Sequence, residues 1–345
     1  MLLHGQFGYI RRKSAIGMTG LFKDRQTFQL PLLVIIVVAA RLPFLYAPVP
    51  VPEKLVGGFL EAWFYQRLLP ELGDFTLQVA ALAWLLLCLF LASFTALQAR
   101  LYSKSNMLAA FCMFMVAVMH PLLAAPSPAL MMLPLLMLFF LNGLGMYATY
   151  KPVTTVVNAG MITGIGYLLY HPFLWVAVAG FALLGQMRAF RPKEWIQYVL
   201  AFMLPIYLVL AIQFLTNGWA PEKLLPHWGK AAMPPYLNGY WWLVLGMLMF
   251  LVAIAWPNWR FNLRRMLIQS RKNWYVVLLT GLFLLPSLVW PVQHFKQTLL
   301  LLSYPLGLLY ANIFGGEKTI WKTILFWMWA GVAIAVSWAH MLGKV

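Results

Sequence analysis

The sequence predicts an all-α, polytopic transmembrane helical bundle of about eleven spans, and three observations carry that prediction. Of 345 residues, 63% are apolar and only 10% are charged; a soluble chain carries about 25% charged residues to cover its surface. The apolar residues fall in blocks near the ~20 residues that a helix needs to cross a bilayer. Those blocks are continuously apolar rather than alternating, so the spans read as helices and not as strands of a barrel.

The formal charge of +17 would point to nucleic acid in a soluble domain. Here the cations sit at span ends, where they set orientation and meet anionic headgroups, so no nucleic-acid partner is expected. Cys88 and Cys112 each lie inside an apolar run and read as small buried hydrophobes.

Residues 1–27 read as a basic cytoplasmic tail, with Arg11, Arg12, Lys13, Lys23 and Arg25. No small-residue cleavage site follows the first apolar run, so a cleaved signal is not expected. Residues 28–345 read as one membrane domain. The first span covers about Phe28 to Tyr46, with Pro31 in its first turn, where its missing N–H costs nothing. Arg41 lies near its far end and can snorkel to water or serve function.

Pro48, Pro50 and Pro52 make a stiff link. Lys54 to Leu69 then reads as an amphipathic helix lying on the membrane in the first outer loop, with Leu55, Phe59, Ala62, Trp63 and Gln66 as its mostly apolar stripe. Glu53, Glu61, Glu71 and Asp74 make this the acidic part of the chain.

Spans two, three and four follow at about Phe75–Leu97, Met107–Leu123 and Ala129–Leu144. Val153 to Met187 is too long for one crossing and short for two; His171-Pro172 lies in its middle, and the basic elbow Arg188, Arg191, Lys193 follows. Charge decides between the two counts. With Arg41 counted as intramembrane, two crossings put 18 Lys and Arg on the inner side and 6 on the outer; with one crossing the split is 12 to 12. Only the first obeys the positive-inside bias. Span seven is then about Ile196–Leu215, eight Gly239–Trp256, nine Val276–Trp290, ten Thr298–Phe314 and eleven Thr323–Met341. The N-terminus is inside and the C-terminus outside. Aromatic residues such as Trp256, Trp259, Trp274 and Trp290 mark the interfaces.

Little in this pattern points to chemistry. The spans contain no Asp or Glu, which counts against a proton-driven transporter. His120, His171, His227, His294 and His340 fall at outer ends or loops, without a spacing that brings two onto one helix face. No metal or cofactor is expected. Gly160 and Gly164 give span five a small-residue face, which reads as close helix packing or as a substrate groove, with Asn158 and Thr163 able to hydrogen-bond across it.

Glu53 and Glu61 are candidate catalytic carboxylates at headgroup level. Arg41, Asn158 and His171 are candidate substrate-binding residues, Arg41 because its planar fork matches phosphate oxygens. This layout, acids in the first outer loop ahead of a many-span body, resembles the polyprenol-phosphate-dependent membrane glycosyltransferases of GT-C type. It departs from them in lacking an adjacent pair of acids and a large outer domain.

A second resemblance is carried by Asn158-Ala-Gly160, Gly164, Tyr167-Leu-Leu-Tyr-His-Pro172, Arg188-x-Phe-Arg-Pro-Lys-Glu-Trp195 and Leu204-Pro-Ile-Tyr207. Across about residues 150–210 the chain is similar to an uncharacterised multi-pass inner-membrane family of Bacteroidota, a domain of unknown function, and Met18-Thr-Gly-Leu-Phe-Lys23 resembles that family's start. The resemblance implies a bacterial inner-membrane location and about ten spans, but no activity. The expected function is envelope biogenesis on a lipid-linked substrate at the outer leaflet, as a GT-C-like glycosyltransferase or its accessory. The alternative is a transporter, flippase or non-catalytic membrane partner. Expected partners are membrane lipids and a polyprenol-phosphate-linked substrate.

Overall fold

The structure, a computed structural model, describes residues 29–46, 58–102, 107–119, 126–148, 153–188, 190–216, 239–289, 295–315 and 320–341. Its elements among these residues are helical throughout. In order they are α1 (Gln29–Tyr46), α2 (Phe59–Trp63), a π-turn (Phe64–Leu68), α3 (Leu69–Glu71), α4 (Asp74–Gln98), α5 (Leu108–Val118), α6 (Pro128–Ala148) and α7 (Val153–Leu169). A 3-10 turn (His171–Phe173) leads to α8 (Leu174–Met187), then α9 (Pro192–Leu215), α10 (Gly239–Leu263), α11 (Ile268–Leu284), α12 (Pro286–Val289), α13 (Phe295–Gly315) and α14 (Ile320–Met341).

Among the described residues, five helices are long and apolar enough to cross a membrane, and they lie within α4, α6, α9, α10 and α13. Their outer faces are apolar too. On α4, Phe75, Trp84, Leu87 and Phe90 are exposed, and on α9 so are Ile196, Leu200, Met203, Tyr207 and Ile212. Water does not tolerate faces of this size on a lone chain; hydrocarbon does.

The centre of the bundle is α5 against α13. Every residue from Leu108 to Val118 is buried, and 89% of the Thr298–Gly315 stretch is buried. The two backbones touch: a methyl group on Gly307 would fall 2.6 Å from the Met113 N and Cα. α5 is 11 residues long, so it spans about 17 Å, short of a ~30 Å hydrocarbon core. The sequence predicts a longer span here; the described helix stops at Val118 and is enclosed by its neighbours.

Several polar groups in this interior find partners, as burial favours, whereas the Thr298 and Ser303 hydroxyls have none among the described residues. Tyr304 Oη donates to Thr95 Oγ1 at 2.9 Å, and Thr95 in turn donates to the Ala92 carbonyl. Tyr310 Oη donates to the Leu248 carbonyl at 2.8 Å. Tyr102, in the loop after α4, donates to the Leu308 carbonyl, and burial holds its phenol well above the usual range.

The stretch Val153–Met187 divides in two. Tyr170 leaves the helix with extended backbone, φ −151° and ψ 106°, and Pro172 cannot continue the helical ladder. A side chain at Gly166 would collide with the Phe173 ring, so glycine there lets the chain fold back tightly. Contacts fix the helix directions. Gly160 meets Tyr198 and Ala201, while Tyr167 meets Phe202, so α7 and α9 run the same way. Phe181 meets Tyr198, and Gly185 meets Trp195, so α8 runs opposite to α9. The chain therefore reverses at His171.

Two boundaries differ from the sequence expectation. α9 starts at Pro192, four residues early, because proline at its first turn and Glu194 beside the positive helix end favour an earlier start. α10 runs through Pro257 to Leu263, leaving only residues 264–267 as turn; Arg260, Arg271 and Lys272 sit on helical ends, not in a long loop. Ala62, Trp63 and Gln66 of the stripe expected to lie on the membrane are exposed, Trp63 at 41%, while Leu55 lies outside the described residues. On the opposite side, Leu60 packs on the core and Phe64, four residues on, is buried. A π-turn follows, in which the Leu69 N–H donates to the Phe64 carbonyl, one residue longer than an α bond.

Candidate functional site

The hairpin separates two ends of the molecule with different chemistry. At one end, the carboxyl termini of α4, α6, α8 and α10 meet the amino termini of α9 and α11. Asn273 Nδ2 donates to the Ala99 carbonyl at 2.8 Å, and Trp274 Nε1 to the Leu101 carbonyl at 3.4 Å. Arg100, between those two carbonyls, has φ 48°, the left-handed conformation that closes a helix. Its neighbours make the matching bonds, Arg100 N–H to Leu97 O and Leu101 N–H to Ala96 O.

Arg188 fixes the elbow at this end. Its Nε lies 3.0 Å from Glu194 Oε2, and its Nη1 donates to the Met146 carbonyl at 2.9 Å. One side chain thus ties α6, α8 and α9 together. Both charged groups are mostly enclosed, with side chains 13% and 10% exposed. Lys272 donates to the Gln186 carbonyl at 3.5 Å and lies over the Tyr147 ring. Cations placed at three helix carboxyl ends also oppose the partial negative charge of those ends. Arg191, Lys193, Arg260, Arg264, Arg265 and Arg271 are exposed around them.

At the other end is the hairpin tip. His171 is 4% exposed and stacks obliquely with Tyr167 at 5.3 Å between centroids. The segment entering α2 docks here: a methyl on Gly58 would fall 2.6 Å from the Leu169 carbonyl carbon and oxygen. The first loop's helix is thus seated on the tip of the hairpin.

The residues singled out from sequence are distributed as follows. Arg41 is 3% exposed, five residues before the end of α1, with its guanidinium 5.5 Å from the Phe44 ring centroid. Glu61 lies on α2; Glu53 lies outside the described residues. Asn158 is exposed near the amino end of α7. The helix from Asn158 to Leu169, roughly 17 Å, separates it from His171, so the two do not form one site. The small-residue face resolves as packing: Thr163 Oγ1 and Tyr198 Oη lie 3.2 Å apart across the α7–α9 contact, and Tyr198 donates to the Ala177 carbonyl on α8. Asn158 takes no part in that contact.

His120, His227 and His294 lie outside the described residues. Among the described residues, no group of three or more His, Cys, Asp or Glu is placed to hold a metal. Cys88 and Cys112 are both buried.

No family model, curated protein or solved structure matches this chain. The site must therefore be read from its own chemistry. The Arg188–Glu194 pair is the feature that the sequence reading passed over. Its signal was present as a single acid within the basic elbow, Arg188 to Trp195; what spacing does not reveal is that the arginine turns back across the elbow to reach it.

Proposed function

We propose that this chain is an eleven-span protein of a bacterial inner membrane, with its amino terminus in the cytoplasm and its carboxyl terminus outside. It handles a lipid-linked substrate at the outer leaflet, as a membrane glycosyltransferase of GT-C-like layout or as an accessory to one. In support of the topology, α7 and α9 are parallel and the basic turns after α8 and α10 gather at one end, the end that the positive-inside bias assigns to the cytoplasm. That leaves the hairpin tip and the α2 segment outside.

The observation that carries the functional reading is Arg41. An arginine 3% exposed within an apolar helix is expensive to maintain and marks a functional position by default. Its fork suits a lipid phosphate, and the first-loop glutamates follow it in the chain. A filled centre, with α5 enclosed on all sides, favours work at an end of the bundle over passage through its middle.

The test is the lipid that co-purifies with the full-length protein, identified by mass spectrometry. A polyprenol-phosphate-linked species is expected with the wild type. Arg41→Gln should reduce it about tenfold or more, the value of one charge-assisted hydrogen bond. Glu53→Ala and Glu61→Ala should retain the lipid but fail to restore envelope glycans in a deletion strain. Full restoration by both would defeat the enzyme reading and leave a carrier or non-catalytic partner.

A further inference from the structure

We infer that the elbow and the outer face of α9 form a binding site for an anionic glycerophospholipid, with its phosphate at Arg191 and Lys193 and its acyl chains along α9. This site lies at the end opposite the hairpin tip and does not rest on the function proposed above.

The inference begins with charge. Glu194 is the one acid of the elbow, and Arg188 holds it at 3.0 Å. Arg191 reaches Glu194 only at 3.9 Å, with its side chain 61% exposed. Lys193 is exposed. Two cations therefore project from a short segment whose carboxylate is already engaged. The segment is held in place, because Arg188 is also bonded to the Met146 carbonyl. The cations are presented from a fixed position, not from a loose loop.

The second observation is what lies below them. Lys193, Ile196, Leu200, Met203 and Tyr207 follow one another at three- and four-residue steps, so they share one face of α9. Ile196 is 58% exposed, Leu200 63%, Met203 51% and Tyr207 67%. The other side of α9 is sealed against α7 through Tyr198, Ala201 and Pro205, and the stripe is exposed among the described residues. Phe190 stands above it, 73% exposed, with its ring 5.4 Å from Trp195. An aromatic at the headgroup boundary, two cations at phosphate depth and an apolar rail beneath them match one molecule in section: a lipid with a negatively charged head. Charge complementarity selects an anionic lipid over a zwitterionic one, which brings its own cation.

The experiment uses the full chain in detergent, with native mass spectrometry to count retained lipid after exposure to equal amounts of phosphatidylglycerol and phosphatidylcholine. Phosphatidylglycerol should be retained preferentially. The double variant Arg191→Gln/Lys193→Gln should lower that preference roughly 25-fold, from about 1 kcal/mol per cation near a charged surface. Arg265→Gln, which removes a cation stacked on Phe261 at the neighbouring turn, should leave it unchanged. Leu200→Ser/Met203→Ser should weaken retention of both lipids while preserving the preference. Equal loss in Arg265→Gln would reduce the site to diffuse charge and overturn the inference. So would an unchanged preference in the double variant, or complete displacement by inorganic phosphate at constant ionic strength, which would assign the cations to a free anion.

Discussion

Gly164→Leu is expected to destabilise the protein by about 3 kcal/mol, the upper part of the range for overpacking, and to lower its thermal midpoint in detergent by roughly 5–10 °C. α7 and α9 meet closely enough that a methyl group at Gly164 would overlap the Phe202 carbonyl oxygen, with Pro205 Cγ at 3.1 Å. The obstacle is backbone, so it cannot rotate away. The hydroxyls of Thr163 and Tyr198, 3.2 Å apart beside this contact, would be forced apart as the helices separate. A matched control comes from Gly246 on α10, where nothing lies within 4 Å of the corresponding position. Gly246→Leu should leave the midpoint unchanged or slightly raised, because leucine is the better helix former. Equal effects at the two sites would mean that α7 and α9 are not in this contact.

The second large effect is at the elbow. Removing one member of an enclosed ion pair leaves the other charged and unpaired, which costs about 3–5 kcal/mol. The Arg188 and Glu194 side chains are 13% and 10% exposed, so some water reaches them, and the lower end of that range applies. Glu194→Leu should therefore cost about 3 kcal/mol. Arg188→Met should cost a similar amount, because it also frees the Met146 carbonyl. The double variant should recover much of the loss, since two apolar side chains bring no unpaired charge. A double-mutant cycle on thermal unfolding measures this directly. Additive losses would contradict the pair.

Much of the architecture was legible in the sequence because bilayer physics constrains it so strongly. Segment ends fell near the expected ones where an apolar block had clear polar flanks, as at α4. Charge and not length favoured a reversal within Val153–Met187, and the parallel course of α7 and α9 is compatible with it. Other features were hidden for physical reasons. The π-turn at Phe64–Leu68 is one, because no residue pattern announces a bond one residue longer than an α bond. The enclosure of α5 is invisible because a buried helix and a lipid-facing helix are both apolar all round. The candidate site was only partly legible. Arg41 and His171 are buried, and Asn158 lies on an exposed face near the amino end of α7. Composition alone does not tell an asparagine at a helix contact from one beside it.

The eleven-span map is the claim on which the placement of both ends depends, and cysteine accessibility tests it most directly. The chain's own Cys88 and Cys112 are buried and leave a low background. Lys193→Cys, Arg271→Cys and Trp63→Cys each replace an exposed residue, and a membrane-impermeant maleimide reports the side from which each is reached. Lys193→Cys and Arg271→Cys should react only from the cytoplasmic side, and Trp63→Cys only from the outside. Labelling of Lys193→Cys from the outside, or of Lys193→Cys and Trp63→Cys from the same side, would contradict the map.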